Sequence, residues 1–377
     1  MNVEMAIAIG IFIGFVIAMI AFAINYFSQA PFWGEIARYR EKAISFIEAI
    51  SSKGWPERWE EQNITPAQLG LSIDLYSIKV SVKEESGYSR INEPVFVFLD
   101  FDPFCENKSW NNTVRVYDES FNEIPSFISY ENFCSSQYLK EALITFFVNI
   151  SANQEKNFQI FYSNDNTIIA PNYTKSNLTA YWNFDEGSGT LAKDYSGNEK
   201  NGTLYNGSVV CSGGDCPNWV DGKFGKALKF DGINDYVLVS KFSASETKSI
   251  AYWKKNSTDL TWHFVVNSSG TIYVDGSPAS EKIFVSFTSS DLIIGNSSDG
   301  VYYNGTLDEI RIYNRALSQD EIVTLNNSSP LSVKAFPAQK ILAISQKKLQ
   351  ALRNLTYENL REALGEEYKF RIEIKPE

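Results

Sequence analysis

The chain of 377 residues holds one histidine, four cysteines and three methionines. With so little histidine it cannot build the imidazole-rich cages of catalytic zinc, and no H-E-x-x-H or phosphate-cradling glycine loop is present. Glu186-Gly187-Ser188-Gly189 comes nearest to a nucleophile elbow, but in the wrong register for G-x-S-x-G. Positive charge is also scarce. The 34 Lys and Arg stand against 45 Asp and Glu, a net charge of -11 that argues against a nucleic-acid partner and against adhesion to anionic lipid. What is abundant points elsewhere: 20 Tyr and 26 Phe, set in many short alternating runs, fit a mainly β protein in which helix is the minority. The length allows two or three domains, each with its own core.

Met5 to Phe27 carries no charge over twenty-three residues, enough at ~1.5 Å per residue to cross a hydrocarbon core of roughly 30 Å. A cleaved secretory signal is the rival, but no basic region precedes the run and no A-x-A site follows it. Residues 1–28 are therefore read as a single-pass membrane helix. The Gly10-x-x-x-Gly14 spacing would let the same helix of a second copy approach, a route to a homo-oligomer. Topology is contested: Arg38, Arg40 and Lys42 follow the helix, which would hold the bulk of the chain in the cytoplasm. Against them stand fifteen N-x-S/T sequons between Asn63 and Asn354, where composition predicts roughly five. That excess favours an exported glycoprotein at the cell membrane, with most of the chain outside. The cysteines agree, falling into local pairs, Cys105 with Cys134 and Cys211 with Cys216, which suit disulfides; zinc is the alternative for the C-x4-C pair.

After the membrane helix, Glu35 to Ile50 keeps helical spacing, and Ser51 to Gly54 ends it. From Leu71 to about Ile169 short alternating runs predict a β-sandwich domain over 72–170. A polar linker at Asn172 to Asn177 leads into a different texture. Asx-Gly turns such as Asn206-Gly207, Asp231-Gly232 and Asp275-Gly276 join short strands over 177–328, the pattern of an antiparallel jelly roll. Near its end, Ser318 and Glu321 are spaced as a capping box. The C-terminal segment is a small α/β piece, with helices at Ser345 to Leu352 and Tyr357 to Leu364 and a strand from Tyr368 to Ile374.

The blocks AYWNFDEGSGTLAKDYSGNEKNGTL (180–204), GKFGKALKFDGINDYVLV (222–239), TWHFVV (261–266), TIYVDG (271–276) and GTLDEIRIYNRALSQDEI (305–322) resemble, in order, a LamG-like jelly roll of the concanavalin A-like lectin/glucanase superfamily. The resemblance implies two curved antiparallel sheets whose concave face offers a groove to glycans or proteins. Between Val239 and Trp262 this chain is tens of residues shorter than such domains usually are. The module at 72–168 is similar to β domains that precede LamG modules in archaeal surface proteins. SSKGWPERWEEQNITPAQLGL (51–71) and ILAISQKKLQALRNLTYENLREALGEEYKFRIEI (341–374) look like consecutive parts of an archaeal pilin-like, membrane-anchored protein. That likeness implies a membrane-proximal module split into 29–71 and 336–377, with both β domains inserted between its halves.

Relatives in the superfamily that cleave glycans carry clustered acids, E-x-D-x-(x)-E, on one strand, and no such spacing exists here, so no catalytic residue and no enzyme is expected. His263 reads as structural. Related folds often hold a structural calcium, and on that analogy Asp308 is expected as a ligand, with Asp194 and Asn198 contributing. Trp253, Tyr302 and Tyr303 are candidates for stacking on a sugar, although a Tyr-Tyr pair in a strand points to both faces. The expectation is a membrane-anchored surface protein that binds carbohydrate or protein. The alternative is a structural or filament subunit without a glycan ligand, and a glycan-active enzyme comes third.

Overall fold

The computed structural model describes residues 72–165, 168–173, 176–212 and 216–344. The expected membrane helix and the C-terminal helices lie outside the described residues; among those described, no helix is long and apolar enough to cross a membrane.

Alternation of apolar and polar residues builds the first sandwich from β1 (Ser72–Lys83), β2 (Arg90–Asp100), β3 (Arg115–Tyr117), β4 (Glu123–Ile124), β5 (Ser126–Ser135), β6 (Tyr138–Ile150) and β7 (Glu155–Ser163). The second contains β8 (Leu178–Trp182), β9 (Leu191–Ala192), β10 (Gly202–Asn206), β11 (Val209–Val210), β12 (Asn218–Asp221), β13 (Lys226–Asp231) and β14 (Asp235–Val239). It continues through β15 (Ser249–Asn256), β16 (His263–Ser268), β17 (Thr271–Val274), β18 (Ser277–Pro278), β19 (Val285–Phe287), β20 (Leu292–Ile294), β21 (Asn304–Tyr313) and the helix α1 (Gln319–Asn327). Two further strands follow, β22 (Ser332–Ala335) and β23 (Gln339–Ile344). Every pairing is antiparallel, as expected of a mainly β chain joined by hairpin turns.

The chain does not simply pass from one domain to the next. β22 and β23 return to pair with β1, giving a sheet ordered β22-β1-β7-β3-β4 with β23 also on β1, opposite the three-stranded sheet β2-β6-β5. Residues 332–344 thus complete the first sandwich, and the second is an insertion between β7 and β22. Ser72 and Ile344 are register partners at one end of this sheet. The core between its layers gathers Val80, Val97, Val116, Ile144, Phe146 and Ile160, each almost wholly buried. The Cys105–Cys134 disulfide forms here and the Cys211–Cys216 disulfide in the second domain, so the zinc alternative is set aside.

In the second sandwich the larger sheet runs β12-β13-β21-β15-β16-β17-β18, with β8 also on β21, and the smaller runs β11-β10-β14-β20-β19, with β9 on β10. Trp182, Phe230, Val237, Tyr252, Ile294 and Leu307 fill the space between them. The central strand β21 is buried along nearly its whole length, from Gly305 to Tyr313. One face meets the sandwich core. The other meets α1, through Ile322 and Leu325, and Phe96 and Phe147 of the first sandwich. Ser318 caps α1 as expected: its hydroxyl accepts from the Glu321 N–H, while Glu321 accepts from the Ser318 N–H.

Polar contacts lock the two sandwiches together. Arg311 Nη1 lies 3.0 Å from Glu93 Oε1, its Nη2 3.4 Å from Glu309 Oε2, and its guanidinium sits 4.7 Å over the Tyr181 ring. The Tyr195 carbonyl accepts from Thr145 Oγ1, and the Asp194 carbonyl from Tyr130 Oη. Gly197 abuts Phe127 so closely that a Cβ there would lie 2.8 Å from the Phe127 Cβ, and its φ of +84° is itself unfavourable for other residues.

Candidate functional site

The acid that looked most like a metal ligand has another occupation. A β-bulge opposite Ala251 to Trp253, with Glu309 at φ 54°, re-aims the middle of β21 so that Asp308 faces the loop after β12. Its Oδ2 accepts from the Lys223 N–H at 2.7 Å and the Phe224 N–H at 3.1 Å, and its Oδ1 from the Glu309 N–H at 2.8 Å. Gly222 permits this wrap, since a Cβ at 222 would fall 2.5 Å from Asp308 Oδ2. Burial, followed by repulsion from Glu309, pushes the Asp308 carboxyl up to about 8 against the pull of the three donors.

Asp194 is equally committed. Its two oxygens accept from the N–H groups of Tyr181, Ser196 and Lys200 and from the Ser196 hydroxyl, all at 2.9 Å, while burial raises its pKa. Asn198 joins the same loop, donating Nδ2 to the carbonyls of Leu178 and Thr179. Asp194 and Asn198 therefore brace the turn that carries Tyr195 and Gly197 to the first sandwich, and Asp308 shares no hydrogen-bond partner with either. Calcium needs six to eight oxygens, whereas these carboxylates face N–H and hydroxyl hydrogens. The donor set does not fit the cation, and no group of three or more His, Cys, Asp or Glu side chains converges among the described residues.

The three aromatic candidates are not brought together either. Trp253 lies on the covered face of the larger sheet, 6% exposed, with Phe224 edge-on at 6.2 Å and Lys223 Nζ 4.3 Å from its ring centre. Only about 10 Å³ of space remains beside it. Tyr303 is buried between the sheets, 4.5 Å from the Phe284 ring, and its hydroxyl donates to Asn256 Oδ1. These two rings offer no face to a ligand. Tyr302 stays half-buried beyond the smaller sheet, 6.5 Å from Tyr236, which stacks on Tyr205 at 5.2 Å. His263 is held between Asp275 and Asp259, at 2.7 and 3.0 Å, and both carboxylates raise its pKa.

Open space lies at one edge of the second sandwich, between β15, β16 and β17 on one side and β19 on the other. There the sheets part around a cleft of about 800 Å³. Its floor is apolar, with Ile250, Ile272, Val285 and Phe287; its walls carry Asn267, Ser280, Ser286, Glu281, Lys282 and Asp299. A second lobe of about 430 Å³ shares Ile250, Asn267 and Phe287 and runs under Ala244, Thr247 and Lys248. The charges on the wall are paired: Lys282 with Asp299 at 2.7 Å, and Glu281 with the nearly buried Lys254 at 2.6 Å. An apolar floor with a few convergent polar groups is the usual make-up of a small-molecule site. The sequence marked Asn267, as the first residue of an N-x-S sequon, but gave no sign that these positions come together in a cleft.

Residues 229–323 match the laminin G-like model of the concanavalin A-like lectin/glucanases superfamily. That span contains most of the cleft. Among solved structures, domain 4 of AbnA, a GH43 extracellular arabinanase from Geobacillus stearothermophilus in complex with arabinotriose, is 17% identical, covering 41% of this chain and 100% of its own, with a TM-score of 0.32. Trypanosoma rangeli sialidase in complex with sialic acid is 12% identical over 63% of this chain and 53% of its own, TM-score 0.27. The same enzyme with the inhibitor DANA is 13% identical over 52% and 41%, TM-score 0.29. This chain thus spans about half or less of the sialidase, and scores this low transfer no ligand. No curated protein matches the sequence.

Proposed function

We propose that the second sandwich binds a neutral oligosaccharide in the edge cleft, as a non-catalytic module of a membrane-anchored surface protein. The observation that carries the reading is the cleft itself, a concavity of about 800 Å³ within a domain of a carbohydrate-binding superfamily. A pyranose presents an apolar C–H face that suits Phe287 and the aliphatic floor. Its hydroxyls suit Asn267, Ser286 and the paired charges, whose mutual neutralisation favours a neutral sugar over an acidic one. Hydrolysis would need one carboxyl with a raised pKa beside a second carboxylate. The Lys282 and Ser297 hydrogen bonds instead hold Asp299 down to about 2.

Display at the cell surface rests on the apolar run at 5–27 and the sequons. The Ser72–Ile344 pairing supports a split membrane-proximal base, because the segments 1–71 and 345–377 leave the same sheet side by side. A structural subunit without a glycan ligand is the second reading, favoured by the burial of Trp253 on the covered sheet face.

Glycan-array binding followed by calorimetry on the full chain, made without N-glycosylation, tests the proposal. Phe287→Ala and Lys282→Ala should each weaken binding at least tenfold, Lys282→Ala while leaving the melting profile in place, and no reducing ends should be released. No binding to any neutral glycan, or binding indifferent to both changes, would refute it.

A further inference from the structure

We propose that Asn267 is an N-glycosylation site whose sugar chain lies in the edge cleft and closes it to outside ligands. This deepens the saccharide-cleft reading and rests on it. The sequon Asn267-Ser268-Ser269 sits where β16 turns into β17. Ser269 (φ 49°) and Gly270 (φ 92°) make the two-residue turn, leaving Ser269, the hydroxyl residue of the sequon, exposed at its tip. Asn267 pairs with Ile250 on one side and Ile272 on the other, and all three line the cleft. It is the only asparagine among the lining residues of either lobe.

The amide is oriented for the task. Oδ1 accepts from the Gly270 N–H at 3.0 Å, which fixes the side chain, and Nδ2 has no hydrogen-bond partner among the described residues. A group added at Asn267 Nδ2 enters open space with an apolar floor and hydroxyl-bearing walls.

In the transfer, Nδ2 attacks the anomeric carbon of an oligosaccharide carried on a polyprenyl phosphate or diphosphate. The new N–C1 bond replaces the C1–O bond to phosphate; the amide loses one proton to a base of the transferase, and the lipid phosphate leaves as the anion. The tethered sugar then competes for the cleft at a high effective concentration, while a free oligosaccharide must compete from solution.

The test uses the full chain made in a secretory host that adds N-glycans, compared with Asn267→Gln and with Ser269→Ala, which keeps the asparagine but destroys the sequon. Peptide mapping should find Asn267 occupied. Hydrogen exchange over 283–287 should be slower in the modified protein than in either variant by tenfold or more, and Ser269→Ala, which keeps the Asn267 side chain in the cleft, should bind added oligosaccharide at least tenfold tighter. An unmodified Asn267 beside occupied neighbouring sequons would overturn the proposal. So would an occupied Asn267 with exchange over 283–287 unchanged by its removal, since the glycan would then point to solvent. Failure of the cleft reading is distinguishable: the unmodified variants would bind no saccharide, and Phe287→Ala would change nothing.

Discussion

Removing Arg311 probes how the two sandwiches are coupled. Arg311 as a whole is 8% exposed, and its guanidinium answers two buried carboxylates, Glu93 of the first sandwich and Glu309 of the second. Breaking a buried ion pair from one side costs about 3–5 kcal/mol, because the abandoned charge stays desolvated. Two features lower that figure here. Arg90 Nη1 stands 3.7 Å from the same Glu93 oxygen and retains part of its compensation, and burial already raises the Glu309 pKa, so that carboxyl can take up a proton once the cation is gone. Loss of the Tyr181 stacking works the other way, by ~1 kcal/mol. We expect Arg311→Gln to destabilise the protein by about 3 kcal/mol. With Glu93→Gln in a double-mutant cycle, the coupling should reach about 1.5–3 kcal/mol. The assay is urea unfolding followed by tryptophan fluorescence and by calorimetry. Because the pair joins a host domain to its insert, Arg311→Gln should also split one unfolding transition into two. A coupling below about 0.5 kcal/mol, with the transition still single, would refute the reasoning.

Two further outcomes follow from the buried and paired titratable groups. The Asp308 carboxyl, pushed up to about 8 from an ordinary 3.8, keeps its proton in the fold after the unfolded chain has lost its own. Its contribution is full below pH 3.8 and is lost as pH rises through about 8, so the melting temperature should fall between about pH 4 and 8 and level off above. The fall should be shallower in Asp308→Asn, and a chelator should leave the wild-type melt unchanged; equal slopes, or a chelator-induced drop, would contradict the assignment. His263, the single histidine, gives one imidazole signal by NMR. Held by Asp275 and Asp259, it should titrate above 6.5, its ion pairs stabilising below that value and fading as pH passes the raised midpoint. A midpoint at or below 6.5 would contradict the pairing.

Local chemistry was legible in the sequence, and long-range coverage was not. The Asx-Gly turns, the cysteine pairs and the Ser318–Glu321 box are features in which every partner lies within a few dozen residues. Asp308 shows the limit. An acid ahead of alternating isoleucines reads as a ligand, because the residues that occupy it lie 84 and 85 positions upstream and a bulge is needed to aim it at them. Trp253 fails for the same reason, since nothing near it in sequence says that α1 and the first sandwich will cover its face. The run Ala142–Phe146, buried on both sides, hints at a doubly covered strand without naming what covers it.

Coverage also decides where a ligand can go. A sandwich has two outer faces and a rim, and here the outer face of the larger sheet is committed to Phe96, Phe147, Ile322 and Leu325. The smaller sheet keeps a row of half-buried rings, Tyr205, Tyr236 and Tyr302, the first two stacked and the third tilted by 41° against them. A flat aromatic contact contributes ~0.5–1.5 kcal/mol per ring pair, too little by itself to offset the ~4 kcal/mol or more that association costs. The rim differs because the sheets part there around a cleft, with Ile250 and Phe287 on its lining and Asn267, Ser286 and two ion pairs around them. Concavity surrounds a ligand on several sides and removes more of its surface from water than any flat face can.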